Sequence, residues 1–154
     1  MPRDHATEAD YYLYGIELGI LGFEKAIEWA DSIIELEAEP EVEIIDIALA
    51  APKGRNGVMD ALKEVKGVRD PQMAGRMLLR DLKSLLQNGS NLKAISSKAL
   101  NVIWVTQMPE EIRWKFDHID DDISLAEQGI YSDIEQCKIE LKEMLELYQY
   151  YEAT

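Results

Sequence analysis

A chain of 154 residues is long enough for one domain with a sizeable core. Sixteen Lys and Arg against 30 Asp and Glu leave a formal charge of -14, which disfavours direct binding to a nucleic-acid backbone or an anionic membrane. With 47% hydrophobic residues the chain is too apolar for an acidic disordered segment, and its single cysteine, Cys137, excludes an intrachain disulfide framework and multi-cysteine metal sites.

The N-terminal stretch MPRDHATEADYY lacks an apolar signal core, so the expectation is a cytoplasmic protein, with residues 1–7 as a flexible tail that includes His5. Apolar residues then recur at spacings of three and four, and the chain reads as all-α. A first helix spans Glu8 to Leu21, with Tyr11, Tyr12 and Tyr14 at its start and Leu13, Ile16 and Ile20 on one face. After a turn at Gly22, Phe23, Ile27, Ala30 and Ile34 form the stripe of a second helix, widened by Trp29 and Ile33 and closed by the polar stretch Glu37 to Pro40. Glu41 to Ala50 reads as a short helix burying Val42, Ile45 and Leu49, although Ile44, Ile45 and Ile47 also suit a brief strand.

Pro52, Gly54, Asn56 and Gly57 mark a turn, and Val58, Leu62 and Val65 set a small helix ended near Gly67. Asp70 and Pro71 are the cap and first residue of the next helix, whose inward face carries Met73, Met77, Leu78, Leu82, Leu85 and Leu86 before Asn88 and Gly89 stop it. Ser90 caps a helix over Asn91 to Thr106 with Leu92, Ile95, Ala99, Val102 and Ile103 inward and Trp104 extending that face. Pro109 to Asp117 reads as a further helix, with Ile112, Phe116 and Ile119 as spaced apolar contacts and a break beside the run His118 to Asp122. Ile130, Ile134, Cys137, Leu141, Met144 and Tyr148 form a heptad-like seam on the last one. The resulting fold class is a single all-α domain over 1–154, either a compact irregular array of helical hairpins, helical-repeat-like in form, or an orthogonal bundle.

No phosphate-binding glycine loop, metalloprotease His-Glu pair or EF-hand loop is present. His118, Asp120, Asp121 and Asp122 with Glu127 are the nearest approach to an oxygen-rich metal set, but acids beside a predicted break ordinarily solvate and cap it. Cys137 on the apolar seam reads as a buried small hydrophobe. The expectation is therefore no catalytic residues, no metal and no cofactor.

Charge is segmented: residues 1–50 carry -11, residues 51–108 carry +6 and residues 109–154 carry -9. The two ends either neutralise the middle within the fold or present separate acidic surfaces. Glu35, Glu37, Glu39, Glu41 and Glu43, interleaved with Leu36, Ala38, Pro40 and Val42, form the candidate surface for a basic protein partner. Tyr148, Tyr150 and Tyr151 add aromatic contacts, either in the core or at an interface rim.

These acidic stretches, with Trp29 and the terminal tyrosines, resemble at class level the small acidic helical immunity proteins of bacterial toxin systems. The resemblance implies a noncatalytic inhibitor whose acidic surface occupies the nucleic-acid-binding region of a basic toxin domain. A structural or regulatory helical adaptor, with the C-terminal seam serving a homo-oligomer, is the alternative; small-molecule binding and metal-dependent catalysis rank below it.

Overall fold

The computed structural model describes residues 4–130 and 133–149. The chain divides into two compact units, residues 1–74 and 75–154, each considered in its own right. Among the described residues the fold is all-α, with no strand: α1 (Ala6–Glu17), α2 (Phe23–Leu36), α3 (Val42–Ala48), a 3-10 turn (Ala51–Lys53), α4 (Gly54–Lys63), α5 (Pro71–Gln87), α6 (Leu92–Val105), α7 (Glu110–Glu127) and α8 (Ile134–Gln149). Consecutive helices pack against each other in the pairs α2–α3, α6–α7 and α7–α8, and α1 lies on α4.

The core of the first unit gathers Leu13 and Ile16 from α1, Trp29 and Ile33 from α2, Ile44 and Ile47 from α3, and Val58 and Leu62 from α4. Two arginines close helix ends here. Arg55 donates to the carbonyls of Ile16 and Glu17 at the end of α1, and Arg69 donates to those of Leu62, Lys63 and Val65 at the end of α4. Ile16 and Leu62 already accept a backbone N–H each, so the guanidinium groups add second bonds there, bond the further carbonyls of Glu17, Lys63 and Val65, and place positive charge at the negative end of the dipole. Arg69 also pairs with Asp10, which is buried on α1.

The same connection is strapped to the start of α1. Asp4 accepts from the backbone N–H groups of Ala6 at 2.8 Å and Val68 at 2.9 Å, and the Thr7 hydroxyl accepts from Asp70 N–H at 3.1 Å. Gly67 is required beneath this strap: its φ is +132°, and a Cβ there would stand 2.1 Å from the Asp4 carboxylate. Of residues 4–7, expected in a flexible tail, His5 is only 2% exposed, Ala6 is buried at the start of α1, and Asp4 and Thr7 are held by the hydrogen bonds above.

In the second unit, buried Ile95, Ala99, Val102 and Ile103 of α6 face an α7 whose inward stripe is Ile112, Phe116, Ile119 and Ile123. That 4-3-4 spacing runs unbroken through Asp120 to Asp122, so the break expected there does not occur. Lys93 reaches the Asp120 carboxylate at 2.8 Å and Ser96 donates to it at 2.8 Å, which neutralises an acid on the packed side of the helix. Pro109 is the residue before α7, not its first turn. Gly75 lets α5 approach the end of α6, where a Cβ would meet the Thr106 hydroxyl at 2.6 Å. α8 buries Cys137, Leu141, Leu145 and Tyr148, close to the expected seam, while Ile130 lies outside the helix and is exposed.

Three sequence expectations change in register. α1 stops at Glu17 rather than Leu21, with Gly19 at φ +73°. The cap of α6 is Asn91, whose side chain accepts from Ala94 N–H at 2.9 Å, instead of Ser90. Trp104 is 59% exposed and does not extend the inward face of α6. By contrast, Asp70 caps α5 as expected, accepting from Met73 N–H at 3.0 Å with Pro71 in first position.

Replacing Arg69 with Met removes three carbonyl bonds and strands the buried Asp10 carboxylate, and is expected to cost about 3 kcal/mol in urea unfolding. For Asp4, the hydrogen bonds from Ala6 and Val68 hold its carboxyl below the usual carboxylate value. Its contribution to stability is complete above that usual value and is lost as the pH falls through the lower folded one. The gap in urea midpoint between the native chain and Asp4→Asn should accordingly stay constant near neutrality and close in acid; a gap that widens in acid contradicts the assignment.

Candidate functional site

The acidic turn between α2 and α3 lies entirely in the first unit. Glu35 is in the last turn of α2, Glu37 is the residue after it, Glu41 is the residue before α3 and Glu43 sits in the first turn of α3. The five glutamates do not share one role. Glu37 binds His5, with Nε2 and Oε1 2.6 Å apart, and the His5 ring stands edge-on to Trp29 at 6.1 Å. Trp29 in turn donates its indole N–H to Glu8 at 2.6 Å, which gives the buried face of this corner a chain of polar contacts.

Glu43 pairs with Lys66 at 3.1 Å. A hydrogen bond from its own backbone N–H and the Lys66 ammonium hold its carboxyl below the usual range. Glu41 has one carboxylate oxygen buried without a hydrogen-bond partner. Glu35 and Glu39 are exposed and carry no ion pair among the described residues. Two of the five acids are therefore bound within the unit, and two face solvent.

Exposed apolar residues accompany those two in the sequence. Leu36 is 85% exposed at the end of α2, Val42 is 67% exposed at the start of α3 and Leu49 is 69% exposed just past its end. Val42, Asp46 and Leu49 are spaced i, i+4 and i+7, so they share one side of α3, while Ile44 and Ile47 fill the core from the other. The expectation that Val42 and Leu49 are buried is thus reversed. In a seven-residue helix both stripes satisfy helical spacing, and the choice was made by Ile44 and Ile47, which reach the core shared with α2 and α4.

Tyr148 lies in the second unit, buried against Phe116 with ring centroids 5.9 Å apart, and its hydroxyl accepts from Lys115 at 3.0 Å. Of the two readings open from sequence, it serves as a core contact. Tyr150 and Tyr151 lie outside the described residues.

The chemically suggestive groups are dispersed. Asp120 is occupied by Lys93 and Ser96, and His118 is exposed, 3.4 Å from Asp122 one turn on. Among the described residues no three His, Cys, Asp or Glu side chains converge in a way that would hold a metal ion. Burial, followed by the nearby carboxylates Glu140, Asp122 and Asp133, pushes the Cys137 thiol above its usual value and disfavours the nucleophilic thiolate. No helix among the described residues is long and apolar enough to cross a membrane.

The division of labour within the acidic turn has a direct test. Glu39→Lys should leave the unfolding free energy within about 0.5 kcal/mol of the native chain. His5→Ala, which removes the Glu37 bond and the Trp29 contact from a buried position, should cost about 2 kcal/mol, both read by urea unfolding.

No protein-family model, curated protein or solved structure matches this chain.

Proposed function

We propose that the chain is a noncatalytic protein-binding protein of the cytoplasm, and most concretely an immunity protein that blocks a basic toxin domain. The observation that carries the reading is the exposure of Leu36, Val42 and Leu49 along the α2–α3 segment, with exposed Glu35, Glu39 and Asp46 beside them in the sequence. Apolar side chains of this size held in water are the usual material of an interface core, and the acids around them supply steering toward an electropositive partner.

Glu37 and Glu43 have a supporting part in this scheme. By fixing His5 and Lys66 they hold the turn in shape, so the exposed acids are presented on a preorganised surface. The irregular hairpins of the first unit are the scaffold for that surface. An inhibitor of this kind needs neither metal nor cofactor, because occupying the toxin's phosphate-binding region suffices. A helical adaptor for another basic protein would use the same face, and the identity of the partner separates the two.

The test is reconstitution with a basic nuclease toxin captured by the native chain. Inhibition should reach completion near equal stoichiometry, and added salt should slow association. Leu36→Ala with Leu49→Ala should weaken binding at least tenfold while far-UV circular dichroism stays unchanged, and Glu35→Gln with Glu39→Gln should mainly slow the on-rate. Undiminished inhibition by both double variants would overturn the assignment of this face.

A further inference from the structure

A second exposed aromatic surface lies on α7, in the other unit, and the acidic turn does not account for it. Trp114 is 65% exposed, and no ring or cation covers it among the described residues. Trp104, at the end of α6, differs in one respect: Arg113 lays its guanidinium over that indole, 4.4 Å from the ring centroid. The chain thus fills one tryptophan face with its own cation and leaves the neighbouring tryptophan open.

Carboxylates frame the open one. Glu110 and Asp117 lie four residues before and three after Trp114, on its side of the helix. With Trp104, Arg113 and Trp114 they line a cleft of about 190 Å³, and Glu111, Lys115 and His118 line a second hollow beside Trp114 of about 360 Å³. The two cations lining these hollows are each engaged by another residue, Arg113 over the Trp104 ring and Lys115 at the Tyr148 hydroxyl. An indole face attracts a cation, and flanking carboxylates add charge-assisted hydrogen bonds to it.

We propose that Trp114, with Glu110 and Asp117, receives an arginine or lysine side chain from a basic peptide segment of a partner protein. A nucleic-acid base would also stack on an open indole, but residues 109–154 carry a charge of -9 and repel a phosphate backbone. This surface shares no residue with the α2–α3 turn, so it stands or falls separately from the toxin-blocking function.

The test titrates the full-length 15N-labelled chain with a short arginine-rich peptide, its lysine and glutamate counterparts, and a single-stranded oligonucleotide. The indole N–H resonance of Trp114 should move with the basic peptides, more than those of Trp29 and Trp104. Trp114→Ala should weaken the arginine peptide at least fivefold, Trp114→Phe less, and Glu110→Gln with Asp117→Asn should weaken it comparably and flatten its salt dependence. The proposal is overturned if Trp114→Ala and the double carboxylate variant bind the peptide as the native chain does. It is overturned equally if the glutamate peptide or the oligonucleotide moves Trp114 as far, if the shifts centre on Val42 and Leu49, or if peptide-free self-association is what Trp114→Ala abolishes.

Discussion

Arg69 is the tie on which the first unit closes. Its guanidinium ends α4 by taking carbonyls at the helix terminus, and the same group neutralises Asp10 inside α1. Either interaction alone leaves a buried charge or open carbonyls; together they satisfy both helices at once. Arg55 reaches from α4 to the end of α1, so α4 supplies one of the two arginines and the connection that follows it supplies the other. With those two helices locked, α2 and α3 are left to cover the remaining core, and their joining turn is carried on the outside.

The same principle extends along the chain. Arg69 with Asp10 and Lys66 with Glu43 join the basic middle to the acidic beginning, while Lys83 with Glu146 and Lys93 with Asp120 join it to the acidic end. Segmented charge is thereby used as internal pairing, and a net excess of acid remains for solvent. The exposed acids at the α2–α3 turn and along α7 are members of that excess. In the function proposed above, nearby paired acids hold the backbone and the exposed ones stay available to a partner.

Much of the fold was legible because helical signals are local. The Asp70 and Pro71 start of α5, its stop at Asn88 and Gly89, and the Val58, Leu62 and Val65 stripe all rest on residues within a few turns of each other. Failures came where a distant partner decided the outcome. Asp120 reads as a solvating acid beside a break until Lys93, 27 residues earlier, is placed against it. His5 reads as tail until Glu37, 32 residues on, receives it. The candidate site shows the same limit: five glutamates were visible in the sequence, but which of them face solvent depends on His5 and Lys66. Trp114 was overlooked because a lone tryptophan on a helix carries no pattern; its significance lies in being uncovered.

The three tryptophans also make the molecule its own optical instrument. Trp29 is buried and hydrogen-bonded to a carboxylate, Trp104 lies under a guanidinium, and Trp114 faces water. A small neutral quencher in the solvent therefore has unequal access to the three emitters, with Trp114 the most open, and light absorbed at the indole band returns from three distinguishable surroundings. Events in the core of the first unit and on the rim of the second can be followed in the same sample, without attaching a dye to either.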